Sequence, residues 1–139
     1  MAIFLDTCFY YALLRKRDSF HDQSKELLLQ MADGEYGTIL TSDFVYIEAM
    51  SLINFRTRGN EPQLIQKMHS LFHEQQIAVF LTIKPEWYSE IYQLMTKMTK
   101  NNDPVSFTDA SNVKICNEYK IDNILSFDDH FKGFLNVIS

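Results

Sequence analysis

The stretch Ala2-Ile3-Phe4-Leu5-Asp6-Thr7 runs four apolar residues directly into a carboxylate. A short apolar run that ends this way reads as a buried strand of a parallel sheet. Asp6 then falls at the carboxyl end of that strand, the edge where open α/β sheets bind their ligands. Alone, Asp6 is equally explicable as the cap of a following helix. What separates the two readings is whether other parts of the chain bring further acids to the same edge.

The chain of 139 residues is about one ordinary domain, long enough to bury a core, and no linker, repeat or low-complexity segment divides residues 1–139. Hydrophobic residues make up 46% of it, with 11 Phe and 7 Tyr, which is a globular composition. No apolar run is long enough to span a bilayer, and no basic segment precedes an apolar core at the N-terminus, so no membrane and no secretion are expected. Cys8 and Cys116 lie far apart without metal-type spacing and read as reduced thiols of a cytoplasmic protein. The net charge of −5 argues against broad non-specific nucleic-acid binding, though not against an enzyme whose acids gather at one metal site.

Beyond the first strand the pattern alternates. Cys8 to Leu14 suits a short helix ending in Arg15-Lys16-Arg17. A second helix starts near Asp18 or Ser19, with Phe20, Leu27, Leu28 and Met31 on one face and Gly34 as its stop. Gly37–Thr41 is a strand, and Ser42 caps a third helix that runs to about Arg58 before Gly59. Asn60 caps a fourth helix with Pro62 in its first turn and a stripe of Leu64, Ile65, Met68, Leu71 and Phe72. Ile77–Thr82 is a third strand. Trp87, Ile91, Leu94, Met95 and Met98 mark a fifth helix from about Pro85, and Phe107–Tyr119 is a sixth. Asn123–Phe127 and Phe134–Ile138 are the last strands. The expected fold is a three-layer α/β sandwich: a mostly parallel sheet of four to five strands, flanked by helices.

Four acids stand out against this frame. Glu48 falls four residues from both Phe44 and Leu52, inside an apolar stripe with Val45 and Phe55. A carboxylate facing the core is costly unless it is paired or bound to metal, and a salt bridge to Arg56 is the alternative. Asp109, in Ser106-Phe107-Thr108-Asp109-Ala110, opens the sixth helix, where it could merely complement the helix dipole. Asp128, in Ile124-Leu125-Ser126-Phe127-Asp128, repeats the logic of the first strand. Asp129 competes with it, because one residue of shift faces the other way. In a parallel sheet the strand ends and the starts of following helices share one edge. Carboxylates gathered there raise each other's pKa, and hard cations such as Mg²⁺ or Mn²⁺ relieve the repulsion. Such a site can position water and stabilise charge on a phosphate.

Taken together, Ile3-Phe4-Leu5-Asp6-Thr7, Ile47-Glu48-Ala49, Ser106-Phe107-Thr108-Asp109-Ala110 and Ile124-Leu125-Ser126-Phe127-Asp128-Asp129-His130-Phe131 resemble the PIN-domain family, in family order and at family-like separations. That family supplies the nuclease toxin of many toxin–antitoxin pairs. The resemblance implies a Mg²⁺- or Mn²⁺-dependent endoribonuclease that leaves 5′-phosphate and 3′-hydroxyl ends. Asp6, Glu48, Asp109 and Asp128 would form its catalytic and metal-binding set. It also selects Asp128 over Asp129, through a Thr/Ser-x-Asp pattern that falls on Ser126, and matches Thr108 to a small hydroxyl position. An RNA substrate, a small antitoxin partner and a homodimer are further implications. An RNA-processing role outside toxin–antitoxin pairs, or a PIN-fold binding module with weak catalysis, are the alternatives.

Arg15, Lys16, Arg17, Arg56 and Arg58 are candidate contacts to the RNA backbone, although a solvated helix end is the safer reading of the basic run. His69 and His73 are spaced for zinc but lie off the apolar stripe and read as a solvated face. His130 reads as a surface residue. Cys8 reads as packing, since no base lies near it in sequence. Asp6-Thr7-Cys8 lacks the second acid of the Asp-x-Asp phosphatase pattern, and no acidic pair near the first strand suggests a receiver domain.

Overall fold

The first strand lies at the centre of the sheet. In the computed structural model, which describes all 139 residues, β1 (Ala2–Leu5) is flanked by β2 (Thr38–Ser42) and β4 (Asn123–Leu125). The outer strands are β3 (Val79–Leu81) and β5 (Asn136–Ile138), giving the order β3-β2-β1-β4-β5. Every pairing is parallel, with Phe4 opposite both Leu40 and Ile124. Ile3, Phe4 and Leu5 are completely buried, as a central parallel strand covered on both faces requires. The chain builds outward from β1 in one direction through β2 and β3, then returns to build β4 and β5 on the other side. The strand order therefore reverses between β1 and β4, which is the crevice where such sheets bind ligands.

Six helices flank this sheet and complete the expected α/β sandwich: α1 (Thr7–Leu14), α2 (His21–Ala32), α3 (Asp43–Arg56), α4 (Pro62–His73), α5 (Tyr88–Met98) and α6 (Phe107–Glu118). Ser42 caps α3 as expected, accepting from the Val45 amide at 3.3 Å. Gly34, with φ +82°, follows α2 in the left-handed conformation that its stop requires. No helix is long and apolar enough to cross a membrane.

Several local expectations give way to tertiary packing. The second helix begins at His21, not at Asp18 or Ser19. Asp18 instead accepts the Phe20 amide in a turn, which leaves Phe20 at the N-cap and off the face of Leu27 and Met31. The fourth helix is capped by Glu61, not Asn60, with no side-chain hydrogen bond, and Pro62 opens it. The buried row of α3 is Val45, Ala49 and Ile53; Phe55, assigned to the stripe, is 76% exposed. Of the two histidines expected on a solvated face, His73 is exposed but His69 is half-buried. Its Nδ1 lies 2.8 Å from the Tyr46 hydroxyl, in an aromatic cluster with Phe72, His73 and Phe80.

The register of β1 against β2 depends on Gly37. With φ +76°, a Cβ there would lie 2.1 Å from the Met1 carbonyl oxygen, the same oxygen that accepts the Thr38 amide. Strained φ and a backbone clash add together, so Gly37→Ala should lower stability by about 2 kcal/mol or more. Urea denaturation checks this; an unchanged midpoint would mean that this edge of the sheet does not constrain the fold.

Candidate active site

At the crevice between β1 and β4 the chain opens a cleft of about 720 Å³. Asp6, Glu48, Asp109 and Asp128 all line it, with Arg56, Asp103 and His130. Each acid arrives on a different element. Asp6 ends β1 and caps α1, so the two readings of this residue are one: its Oδ1 accepts the Thr7 amide at 2.7 Å while the side chain faces the cleft. Glu48 comes from α3, where it lies on the half-buried row beside the buried one and faces the cleft rather than the core. Asp109 opens α6 in a reciprocal capping box: its amide donates to Ser106 Oγ at 3.0 Å, and its Oδ2 accepts the Ser106 amide at 3.2 Å. Asp128 follows β4 and caps the short 3-10 turn Asp129–Phe131, accepting the His130 amide at 3.2 Å. Asp129 reaches only the rim of the same cleft; its side chain is 86% exposed and pairs with Lys132.

The hydrogen-bonding around Asp6 is dense. Oδ1 also accepts from Asn112 Nδ2 at 2.9 Å, and Oδ2 accepts from Ser126 Oγ at 2.9 Å. Cys8 Sγ lies 3.5 Å from Oδ2 and 3.4 Å from Ser126 Oγ, and it receives the Phe127 amide at 3.2 Å. Burial and the neighbouring Asp6 hold the Cys8 thiol well above its ordinary pKa, which leaves it a packing group and not a nucleophile.

These donors do not offset the cost of the charge. Burial first, then the charge of Asp109 and, more weakly, that of Glu48, push the Asp6 pKa up to about 7. Glu48 is raised for the same reasons, burial first and Asp109 after it, although the hydroxyls of Thr7, Thr108 and Ser106 favour its charged form. Asp109 is raised by burial and by Asp128, against the Ser106 amide and His130. The Thr7 hydroxyl, close enough to Glu48 to favour its ionisation, is buried without a hydrogen bond of normal geometry.

Sequence reasoning missed two important members. His130, expected at the surface, sits between acids: its Nδ1 lies 3.2 Å from Asp109 Oδ2 and 3.1 Å from Asp128 Oδ1, and its Nε2 is 2.9 Å from Asp103 Oδ1. Burial opposes its charged form, but Asp103, Asp128 and Asp109 outweigh that and raise its pKa. Asn112 was missed too, although it lies three residues after Asp109. Residues 109 to 116 of α6 are buried without a break, so every polar group among them needs a partner.

The smaller candidates divide. Ser126 and Thr108 join the acids, as described. Arg56 lines the cleft with its guanidinium 4.7 Å from the Tyr11 ring, and forms no ion pair with Glu48. Arg15 does not line the cleft; it is bound to Glu61 at 2.8 Å.

The arrangement fits a hard divalent cation. Three acids are held at raised proton affinity by burial and mutual repulsion, a buried Thr7 hydroxyl lacks a partner, and Asp109, Asp128 and His130 offer ligand atoms within 4.8 Å of one another. An oxygen-rich set of this kind suits Mg²⁺ or Mn²⁺ better than a thiophilic metal.

No curated protein sequence matches the chain. Its fold is similar to that of Mycobacterium tuberculosis VapC20, described as a sarcin–ricin loop cleaving toxin, with a TM-score of 0.78 and 22% identity over 99% of both chains. It is also similar to VapBC2 from Rickettsia felis, solved bound to a DNA fragment from its promoter, with a TM-score of 0.67 and 14% identity over 99% of this chain and 98% of the other. PAE2754 from Pyrobaculum aerophilum shares the fold at a TM-score of 0.61 and 13% identity, covering 97% and 88% of the two chains. Residues 3–134 match the sequence model of the PIN domain, a span that takes in all four acids of the cleft. The chain belongs to the PIN-domain family.

Proposed function

We propose that the protein is a Mg²⁺- or Mn²⁺-dependent endoribonuclease that acts as the toxin of a toxin–antitoxin pair in the cytoplasm. The observation that carries this reading is the convergence of Asp6, Glu48 and Asp109, from three separate elements, on one cleft in which Asp109 raises the proton affinity of Asp6 and Glu48 and is itself raised by Asp128. A site that strains its own acids is built for a cation. The fold likeness to a toxin that cleaves the sarcin–ricin loop supports the choice of RNA as substrate, and the likeness to VapBC2 supports an antitoxin partner.

Asp6, Asp109 and Asp128 would hold the ion, which supplies Lewis-acid activation of water and charge neutralisation at the scissile phosphate. The chain's own groups do the rest. Thr7, Asn112 and Ser126 fix the Asp6 carboxyl in one orientation. Glu48, with its raised proton affinity, is suited to accept a proton from attacking water at a carboxylate oxygen. His130 ties Asp109 to Asp128. Arg56 offers a cation to the RNA backbone at the cleft wall.

The test is cleavage of a defined RNA panel by purified protein with Mg²⁺, Mn²⁺ or chelator. Cleavage that requires either ion supports the reading; activity that persists in chelator, or no cleavage with either ion, overturns it. Expression in cells should also arrest growth, and continued growth alongside metal-dependent cleavage would assign the enzyme to RNA processing instead.

A further inference from the structure

Phe20 and Phe127 are stacked face to face at the cleft, with ring centroids 4.4 Å apart and planes 4° from parallel. They come from distant parts of the chain. Phe127 lies between Ser126, whose hydroxyl donates to Asp6, and Asp128, so it is one peptide bond, about 3.8 Å between Cα atoms, from a proposed metal ligand. Phe127 is half-buried, whereas Phe20 remains 39% exposed and carries the open side of the pair.

The placement of Phe20 is not what helix stability selects. It occupies the N-cap of α2 without any side-chain capping bond, a position where Ser, Thr, Asp or Asn is favoured. Asp18 holds its amide at 2.8 Å, and Ser24 Oγ donates to its carbonyl at 2.8 Å, so the backbone that presents the ring is fixed from both sides. A locally unfavourable aromatic, rigidly presented beside charged chemistry, is a ready surface for another flat ring.

On the reading of the cleft as a ribonuclease site, we propose that Phe20, backed by Phe127, is the platform on which an unpaired nucleobase next to the scissile phosphate stacks. The acids recognise only phosphate and metal, which every nucleotide supplies equally. An aromatic plate adds the requirement that a base be free to leave its own stack, which single-stranded loops and ends meet and a paired helix does not. Arg56 and Tyr11 line the same cleft and can meet the backbone while the base lies on Phe20. The platform therefore adds to phosphate recognition a contact with the base itself, with little preference among bases, because every base has a stacking face.

The experiment measures KM and kcat in Mn²⁺ for short single-stranded RNAs, and for the same RNAs with one abasic nucleotide beside the mapped cleavage site. Phe20→Ala should raise KM for the intact RNA by about tenfold and for the abasic RNA by less than about twofold. Phe20→Leu, which keeps apolar bulk for packing, should behave like Phe20→Ala, and Phe20→Tyr should behave like wild type. Equal losses on intact and abasic RNA, or full activity of Phe20→Leu, would make the ring structural and overturn the proposal. Unchanged KM in Phe20→Ala with wild-type cleavage intact overturns it as well, leaving the pair as a contact for a protein side chain. If wild-type protein cleaves no RNA with either metal, the ribonuclease reading itself fails, and this inference falls with it.

Discussion

Purified Asp6→Asn should lose RNA cleavage by about 10³-fold while melting no lower than wild type. The substitution keeps the shape of the side chain. An Asn Oδ1 can still accept from the Thr7 amide and Asn112, and its Nδ2 can donate to Ser126 Oγ in place of the present bond. What disappears is a charge that burial and Asp109 already oppose. Lost activity with retained or higher stability separates a site acid from a structural one, since removing a charge that served the fold would leave its partners unpaired and lower stability. Asp109→Asn should show the same loss, and Asp128→Asn should lose activity where Asp129→Asn keeps it. Metal-dependent cleavage retained in both Asp6→Asn and Asp109→Asn would remove the acid cluster from the mechanism.

The fold was legible because its central instruction is local. Ile3-Phe4-Leu5 is apolar without alternation, so it had to be a strand covered on both faces, and the helical stripes of α4 and α5 gave the covering layers. The acids at strand ends were legible for the same reason: chain direction in a parallel sheet places them on one edge. The surroundings of those acids were not. His130 has no apolar neighbour pattern to mark it as inward, and only the turn capped by Asp128 aims it between Asp109 and Asp103. Asn112 needed the knowledge that α6 is buried all round, which its low amphipathicity hid. Glu48 was identified by its position in an apolar stripe, yet the stripe was misdrawn. The core row passes through Ala49, too small to stand out, and the exposed Phe55 took its place in the pattern.

The second large effect is on stability, and its sign follows from the direction of the shifts. Asp6 titrates at about 7 in the folded protein, above its ordinary 3.8, so between those values the folded chain holds a proton that the unfolded chain has lost. Stability must then fall as pH rises through that window and level off above about 7. Glu48 and Asp109 are raised and act with the same sign. His130, also raised, contributes stability below its unfolded pKa that is lost as pH passes its folded one, which again favours the acid side. In chelator, wild type should therefore be less stable at pH 8 than at pH 5, by a few kcal/mol on the order of magnitude that one strongly shifted group supplies. Mn²⁺ should reverse this. It binds the ionised acids, so its stabilisation grows with pH; at a hundredfold excess over Kd it is worth about 2.7 kcal/mol, or roughly 8 °C in Tm for a domain of this size. Thermal melts at several pH values, with chelator and with Mn²⁺, read both slopes, and Asp6→Asn should flatten them. A metal-free Tm that rises from pH 5 to 8, or a Tm at pH 8 indifferent to Mn²⁺, would show that these acids are neither mutually strained nor gathered to hold a cation.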